Sequence, residues 1–246
     1  MLERRIEEAS LNSWPAQRQV LFDGWIMRFA EGYTKRANSV TPAYPSSLPI
    51  EEKIAFCERY YQQHQLPTVF RLPSFSAEAH ILDDMLMQRD YRLADLTLVL
   101  SMLLHSEQTV LHAECRAASL EEWFSAYNQF SQMSEAQQVS HRAILQRIVP
   151  QPLFALYVKD SMSVACGVCV LEHEIFGLFD IITHPAYRRK GYATALVSGM
   201  LAWASEQRAK RAYLQVVGTN QQALRLYAKF GFQELYHYWY RIHLLT

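Results

Sequence analysis

The 246-residue sequence predicts an α/β fold in which helices cover a mixed parallel and antiparallel (α+β) sheet. Three observations carry this. Ala193, Leu196, Val197, Met200, Leu201 and Ala204 follow the i, i+3, i+4 rule, which predicts an amphipathic helix over 188–207. Apolar runs at 175–182 and 212–217 bracket it, and strand, helix and strand in that order make a parallel pair. Upstream, runs at 153–158 and 163–171 are bounded by Lys159-Asp160-Ser161 and Glu172-His173-Glu174, short polar turns that join antiparallel neighbours.

The remaining elements fill in around these. Leu120–Ser131 and Ser134–Ile148 have helical periodicity, and a strand is expected near Thr109–Ala113. Asn220–Phe230 forms a helix ended by Gly231, and Leu235–His243 is a final aromatic-rich strand. The C-terminal half therefore has the order β-α-α-β-β-β-α-β-α-β. The first half repeats part of this order at an offset of about 140 residues. Val40-Thr41-Pro42 matches Thr183-His184-Pro185, a helix at 50–64 matches 188–207, and Thr68–Leu72 matches 212–217. Ile81–Tyr91 matches Ala223–Phe232 as a helix, a turn and an aromatic. A diverged tandem duplication accounts for this, with lobes at 1–105 and 106–246. The alternative is two unrelated α/β segments of ordinary spacing.

Half of the residues are hydrophobic and 20% are charged, the profile of a globular rather than a disordered chain. The 24 basic and 24 acidic residues cancel, so no overall field draws the protein to nucleic acid or an anionic membrane. No apolar run is long enough to span a bilayer, and the start Met1-Leu2-Glu3-Arg4-Arg5 is too charged for a secretory signal, so a cytoplasmic location is expected. Cys166-Gly167-Val168-Cys169 has the C-x-x-C spacing of a redox pair or half a zinc site, with His173 close behind. It falls inside a strand, however, where residues three apart point to opposite faces unless Gly167 introduces a bulge. Cys57, Cys115, Cys166 and Cys169 are expected to be reduced core residues, with no metal site.

Ahead of the long helix stands Pro185-Ala186-Tyr187-Arg188-Arg189-Lys190-Gly191-Tyr192-Ala193-Thr194. Three consecutive cations at a helix start add to the positive end of the helix dipole, which is unfavourable unless an anion binds there. Gly191 and the small Ala193 let a phosphate approach the free first-turn amides. The bland alternative is a solvated basic loop. A Walker-type nucleotide loop lacks support, because there is no G-K-[ST].

Arg188-x-x-Gly191-x-Ala193 resembles the acetyl-CoA motif of the GNAT acetyltransferases. Asn220-x-x-Ala223-x-x-x-Tyr227-x-x-x-Gly231-Phe232 resembles that family's second landmark, in order and separation, over about 110–246. The resemblance implies an N-acetyltransferase with acetyl-CoA as co-substrate, an amine acceptor and direct attack. By the same resemblance Ile181, Ile182 and Thr183 offer strand-edge amides to the pantetheine. Arg188, Arg189, Lys190, Gly191, Tyr192, Ala193 and Thr194 hold the pyrophosphate, Asn220 binds near the pantetheine, and Tyr227 reprotonates the departing thiolate. Helical spacing places Asn220 and Tyr227 on one face. Asn220 is equally a natural N-cap, and Tyr227 is otherwise a core aromatic.

Attack needs a neutral amine and hence a base. The two positions at which branches of the family carry a glutamate fall on Gln215 and Gly177. Glu172, Glu174, Asp180 and His184 remain, and Asp180 stands out as a carboxylate between Phe179 and Ile181 in a buried strand. His237, Tyr238, Trp239 and Tyr240 either line an acceptor groove or belong to the core. In the first half, Ala43–Pro49 has neither cation nor glycine, Leu86 stands where Tyr227 does, and Arg36 and Asn38 are candidate acceptor contacts. The rival readings are a non-catalytic acyl-CoA-binding regulatory module and, more weakly, an acyl-enzyme through Cys166 or Cys169. The sequence leaves the acceptor open among polyamine, antibiotic, amino acid and protein amine.

Overall fold

The computed structural model describes residues 1–104 and 114–244. Helix α1 (Leu2–Ser13) leads into the hairpin β1 (Arg18–Phe22) and β2 (Trp25–Phe29). The hairpin turn Asp23-Gly24 holds both residues left-handed, at φ 41 and 80, as a tight two-residue turn requires. Strand β3 (Val40–Pro42), α2 (Ile50–Gln63), β4 (Thr68–Pro73), α3 (Ala77–Met87) and β5 (Arg92–Leu103) follow. The second half comprises β6 (Cys115–Ala118), α4 (Leu120–Phe130), α5 (Glu135–Leu145), β7 (Gln151–Lys159), β8 (Met162–Glu172), β9 (Ile175–Thr183), α6 (Tyr192–Glu206), β10 (Arg211–Val217), α7 (Gln221–Ala228) and β11 (Gln233–His243).

From α4 onward this is the order the sequence predicts. The strand expected at 109–113 lies outside the described residues, and β6 begins just beyond it. The long helix starts later than the expected 188. Pro185–Tyr187 makes a 3-10 turn, and Gly191, left-handed at φ 86, is the residue from which α6 departs. Ser119, Ser134 and Asn220 each accept an amide at the start of α4, α5 and α7, and Ser134 forms a full capping box with Gln137.

One sheet takes in all eleven strands, in the order β1-β2-β3-β4-β11-β5-β10-β9-β8-β7-β6. Apart from the extra edge strand β6, the order is mirrored about its centre. β1/β2/β3 are antiparallel and β3/β4 parallel; β7/β8/β9 are antiparallel and β9/β10 parallel. The last strand of each half crosses over: β5 pairs with β10, β11 pairs with β4, and the two pair with each other, all antiparallel.

Helices α6 and α7 cover one face of the second half, over Leu196, Met200, Leu214 and Tyr227. The other face carries α1, α4 and α5 through Ile6, Trp14, Trp123 and Ile144. A third cluster, around Trp25, Tyr61 and Phe70, lies under α2 and α3. Helix α1 is fixed to the crossover by Glu7, which accepts from Arg71 on β4, at 3.0 Å for Nη2, and from the Tyr236 hydroxyl on β11 at 2.6 Å. Glu7 and Arg71 are almost wholly buried, so loss of either partner would strand a charge, at a cost of about 3–5 kcal/mol.

Candidate active site

The site is built on a split between two parallel strands. β9 and β10 stay in register from Ile175/Arg211 to Leu178/Leu214, and beyond that point they no longer pair with each other, while β9 keeps β8 and β10 keeps β5. The cause lies in β9, where Asp180 takes φ 50 and two residues, Asp180 and Ile181, oppose the single Gly167 of β8. The Gly167 carbonyl accepts the buried Trp123 indole N–H at 3.0 Å. A Cβ at Gly167 would come within 3.1 Å of both Ile181 Cγ1 and Met200 Cε, so a larger residue opposite the bulge would have to displace those side chains. The bulge therefore sits on β9, not on β8 within the C-x-x-C, and the two sulfurs diverge: Cys166 joins the α1/α4/α5 core and Cys169 the α6/α7 core.

On the α6/α7 side the split opens into a cleft of about 610 Å³. Of the residues the sequence assigns to coenzyme, Ile181, Ile182, Thr183, Arg188, Arg189, Gly191, Tyr192, Ala193, Thr194 and Asn220 all line it. Lys190 does not; its Nζ lies 5.2 Å from the Tyr187 ring centroid at the rim. The α6 N-terminus has no side-chain cap, and a Cβ placed at Gly191 would meet nothing within 4 Å. Among the described residues no carboxylate pairs with Arg188, Arg189 or Lys190; the Arg188 Nε–H reaches only the Thr183 carbonyl, at 3.4 Å. Unused amides, unmatched cations and open space fit a phosphate-bearing ligand. Gln222, Arg225, Leu226 and Lys229 also line the cleft. Their spacing of three, four and seven along α7 is the signal that could have marked this stripe.

Asn220 caps α7, its Oδ1 accepting from Ala223 N at 3.1 Å. Tyr227 lines the inner end of the cleft, packed edge-to-face on Phe232 at 5.9 Å, and its hydroxyl has no hydrogen-bond partner among the described residues. Burial pushes its phenol up to about 12, so it remains protonated at neutral pH.

Across the sheet, Asp180 Oδ2 lies 2.7 Å from His141 Nε2 on α5. His141 is wholly buried among the rings of Trp14, Tyr33, Trp123, Phe124 and Tyr127, and its Nδ1 has no partner. That contact assigns the Nε2–H tautomer, which orients the Asp180 carboxylate through Oδ2. Burial and the Asp180 charge push the Tyr33 and Tyr127 phenols upward. His141 escaped the sequence reading; its signal was a histidine on the same helical face as Ile144 and Leu145.

The other base candidates point elsewhere. Glu172 accepts from Asn12 at 2.9 Å and Glu174 pairs with Lys210 at 2.5 Å, both at the far end of β9, about 20 Å from the bulge at strand rise. His184 Nδ1 accepts from Ala186 N at 3.2 Å, capping the 3-10 turn. At Gly177 a Cβ would lie 2.6 Å from the Phe179 ring and 2.7 Å from the Tyr213 hydroxyl, so no glutamate fits. Gln215 accepts from the Tyr238 hydroxyl at 3.0 Å and donates to Ser10. Asn38 spends its amide on the 30–34 turn, accepting from Ala30 N at 2.7 Å and donating to the Tyr33 and Thr34 carbonyls, which removes it as an acceptor contact. Tyr238 and Tyr240 are core, and Trp239 donates to Asp83. Burial holds the Cys166 and Cys169 thiols far up, against a nucleophilic role. Among the described residues no cluster of His, Cys, Asp or Glu is arranged to hold a metal, and no helix is long and apolar enough to cross a membrane.

A mixed sheet split by a bulge between parallel strands, with an anion-ready helix start beside the split, defines the GNAT fold, and the chain is a GNAT-superfamily acyltransferase. Residues 3–241 match the family described as "Probable histone acetyltransferase Rv0428c C-terminal", and the chain belongs to that family. It is 29% identical over 246 residues to the "Uncharacterized N-acetyltransferase YobR" of Bacillus subtilis, covering 97% of this chain and 98% of that one. Among solved structures, a GCN5-related N-acetyltransferase from Kribbella flavida superposes with TM-score 0.74 at 15% identity, over 100% of this chain and 96% of that one. Another, from Sphaerobacter thermophilus, gives TM-score 0.67 at 14% identity, over 96% and 84%.

Proposed function

We propose that this acetyltransferase moves an acetyl group from acetyl-CoA to a primary amine by direct attack, with Tyr227 as acid and Asp180 as base. The observation that carries this is that Tyr227 and Asp180 approach one strand split from opposite faces of the sheet. When bound, the coenzyme supplies an activated thioester. The Arg188–Thr194 loop would take its pyrophosphate, the free edge of Ile181–Thr183 its pantetheine, and Asn220 the segment between. The Asp180 Oδ1 would take a proton from the incoming amine, with His141 holding the carboxylate in place, and the Tyr227 hydroxyl presents a proton on the cleft side.

In the same reading, residues 106–246 carry the chemistry and 1–105 form a degenerate GNAT-like lobe. The mirrored strand order supports the duplication. The loop ahead of α2 supports the degeneracy: Ser47 N and Leu48 N, the counterparts of a phosphate cradle, donate to the Asp23 carboxylate at 3.0 and 2.8 Å. The protein's own anion occupies the place an external one would take.

Free-thiol release from acetyl-CoA, measured with a panel of amines on wild type and Asp180→Asn, tests this. The expected result is amine-dependent release, with kcat lowered about 100-fold in the variant. Coenzyme binding without release for any amine would leave the non-catalytic acyl-CoA module; an unchanged kcat in the variant would remove Asp180.

A further inference from the structure

Several cations of the first lobe have partners of their own. Lys35 meets Asp95 at 2.5 Å, Lys53 meets Asp23 and Glu78 at 3.4 Å, and Arg71 meets Glu7. The buried Arg28 guanidinium donates to the carbonyls of Arg36, Leu11 and Trp14. Arg36 meets no carboxylate among the described residues. It lies 4.6 Å from the Trp14 ring centroid, and its Nη1 reaches the Gln215 Oε1 at a long 3.4 Å. The Trp14 ring in turn stands 5.5 Å from the His141 ring, whose Nε2 holds Asp180. Arg36 and Asp180 both bear on the Tyr33 and Tyr127 phenols. Arg36, Tyr33, Asp180 and Gln215 are each only partly buried, so each keeps some access to solvent.

We infer that the acceptor carries an anionic group beside its amine, which Arg36 binds while the amine faces Asp180. The inference rests on the acetyl-transfer reading above and names the acceptor class for that site. A guanidinium resting over an indole keeps its planar donor fork, suited to bidentate pairing with a carboxylate or phosphate. Gln215 keeps Arg36 beside the split with a contact weak enough to be replaced. The opposite reading, a lysine-rich protein tail, requires an acidic approach, and Arg36 opposes a polycation. A small zwitterionic amine instead meets one positive and one negative group at the two ends of an aromatic wall.

The test is thiol release with acceptors matched in shape: α-amino acids and dipeptides, their C-terminal amides, an aminoalkyl phosphate, and a lysine-rich peptide. The expected wild-type result is a kcat/KM at least about tenfold higher for the anionic acceptors than for their neutral counterparts, with the peptide poorest. The carboxylate and phosphate arms identify which anion is preferred. In Arg36→Gln the discrimination ratio should fall to near one, chiefly through KM for the acceptor, with KM for acetyl-CoA within about twofold of wild type. Preference for the amides or the peptide, or a variant that keeps the wild-type ratio, would overturn the assignment while leaving acetyl transfer intact. The wild-type panel decides even if the variant does not fold. Release with none of the amines would overturn the transfer reading and this inference together.

Discussion

Replacing Tyr227 by phenylalanine removes one oxygen, and the structure sets what that oxygen is worth in two separate measurements. The hydroxyl has no hydrogen-bond partner among the described residues, so its loss breaks no contact there. The expected change in stability is within about 1 kcal/mol of zero, or less than about 4 °C in Tm for a chain of this size. The effect on turnover is different. General acids contribute about 10²- to 10⁴-fold, most when their pKa is close to that of the group they protonate. Burial has pushed Tyr227 up to about 12, above the ~8.5 of an ordinary thiol. Complete proton transfer is thus uphill, and much of the benefit comes from hydrogen bonding to developing charge. The expected fall in kcat is therefore at or below the low end of that range, about 10- to 100-fold, with coenzyme affinity nearly unchanged. An acid of this kind works below its pKa and is lost as pH rises through about 12, so no limb of the pH–rate profile below about pH 11 should belong to Tyr227. Steady-state kinetics with an accepted amine, alongside thermal unfolding, check both values. A kcat within twofold of wild type would return Tyr227 to the core, and a Tm drop well beyond 4 °C would show that the hydroxyl has a partner.

Gly191→Glu should weaken acetyl-CoA at least about tenfold in calorimetry by placing charge in the phosphate cradle, whereas Gly191→Ala adds only the strain of a left-handed residue, about 1 kcal/mol; wild-type affinity in the glutamate variant would remove the loop from the site. Calorimetry should give one coenzyme per chain, and a stoichiometry near two would refute the degenerate lobe. Asp23 is held down at about 2 by the Leu48 and Ser47 donors, so its contribution to stability is present above the ordinary 3.8 and lost as pH falls through about 2. The unfolding temperatures of wild type and Asp23→Asn should then differ at pH 5 and converge towards pH 2, and parallel curves would show that the network is not formed. Cys57, Cys166 and Cys169 are buried, and burial pushes the Cys57 thiol up to about 12, so these three should be silent to a thiol reagent at pH 8 over minutes, with only the half-buried Cys115 open to slow labelling; prompt labelling of Cys57, Cys166 or Cys169 would contradict their burial.

The sequence made legible what local rules govern. The order of elements from 120 onward followed from periodicity and from polar turns such as Lys159-Asp160-Ser161. The loop before α6 stood out because three cations and a glycine defy the usual charge pattern of a helix start. Asp180 was visible as a charge in an apolar run. His141 was hidden, because its partner is 39 residues away and reaches it only across the sheet. Trp14 and Tyr33 were obscured for the same reason, being brought to the split by the packing of the first lobe, whereas Arg36 was already a candidate acceptor contact. The hairpin β1/β2 was missed although Asp23-Gly24 is a strong turn pair, since its strands are short. No local pattern announces that β5 and β11 cross over: each reads the same whether it pairs with its own lobe or with the other.

That crossover makes the two lobes inseparable in a specific sense. A fragment spanning 106–246 would keep the coenzyme loop, Tyr227 and Asp180, yet the edge of β10 from Arg211 to Val217 would lose β5, and β11 would lose β4 and β5 together. An uncovered central edge of seven residues is a template for pairing, and the nearest strand able to fill it is the β11 of another copy. Severed fragments should therefore form reciprocally swapped dimers. The intact chain is the single-polypeptide form of such a pair: the connecting segment gives each half its partner at a high effective concentration and leaves neither β10 nor β11 with an unpaired edge at the centre of the sheet.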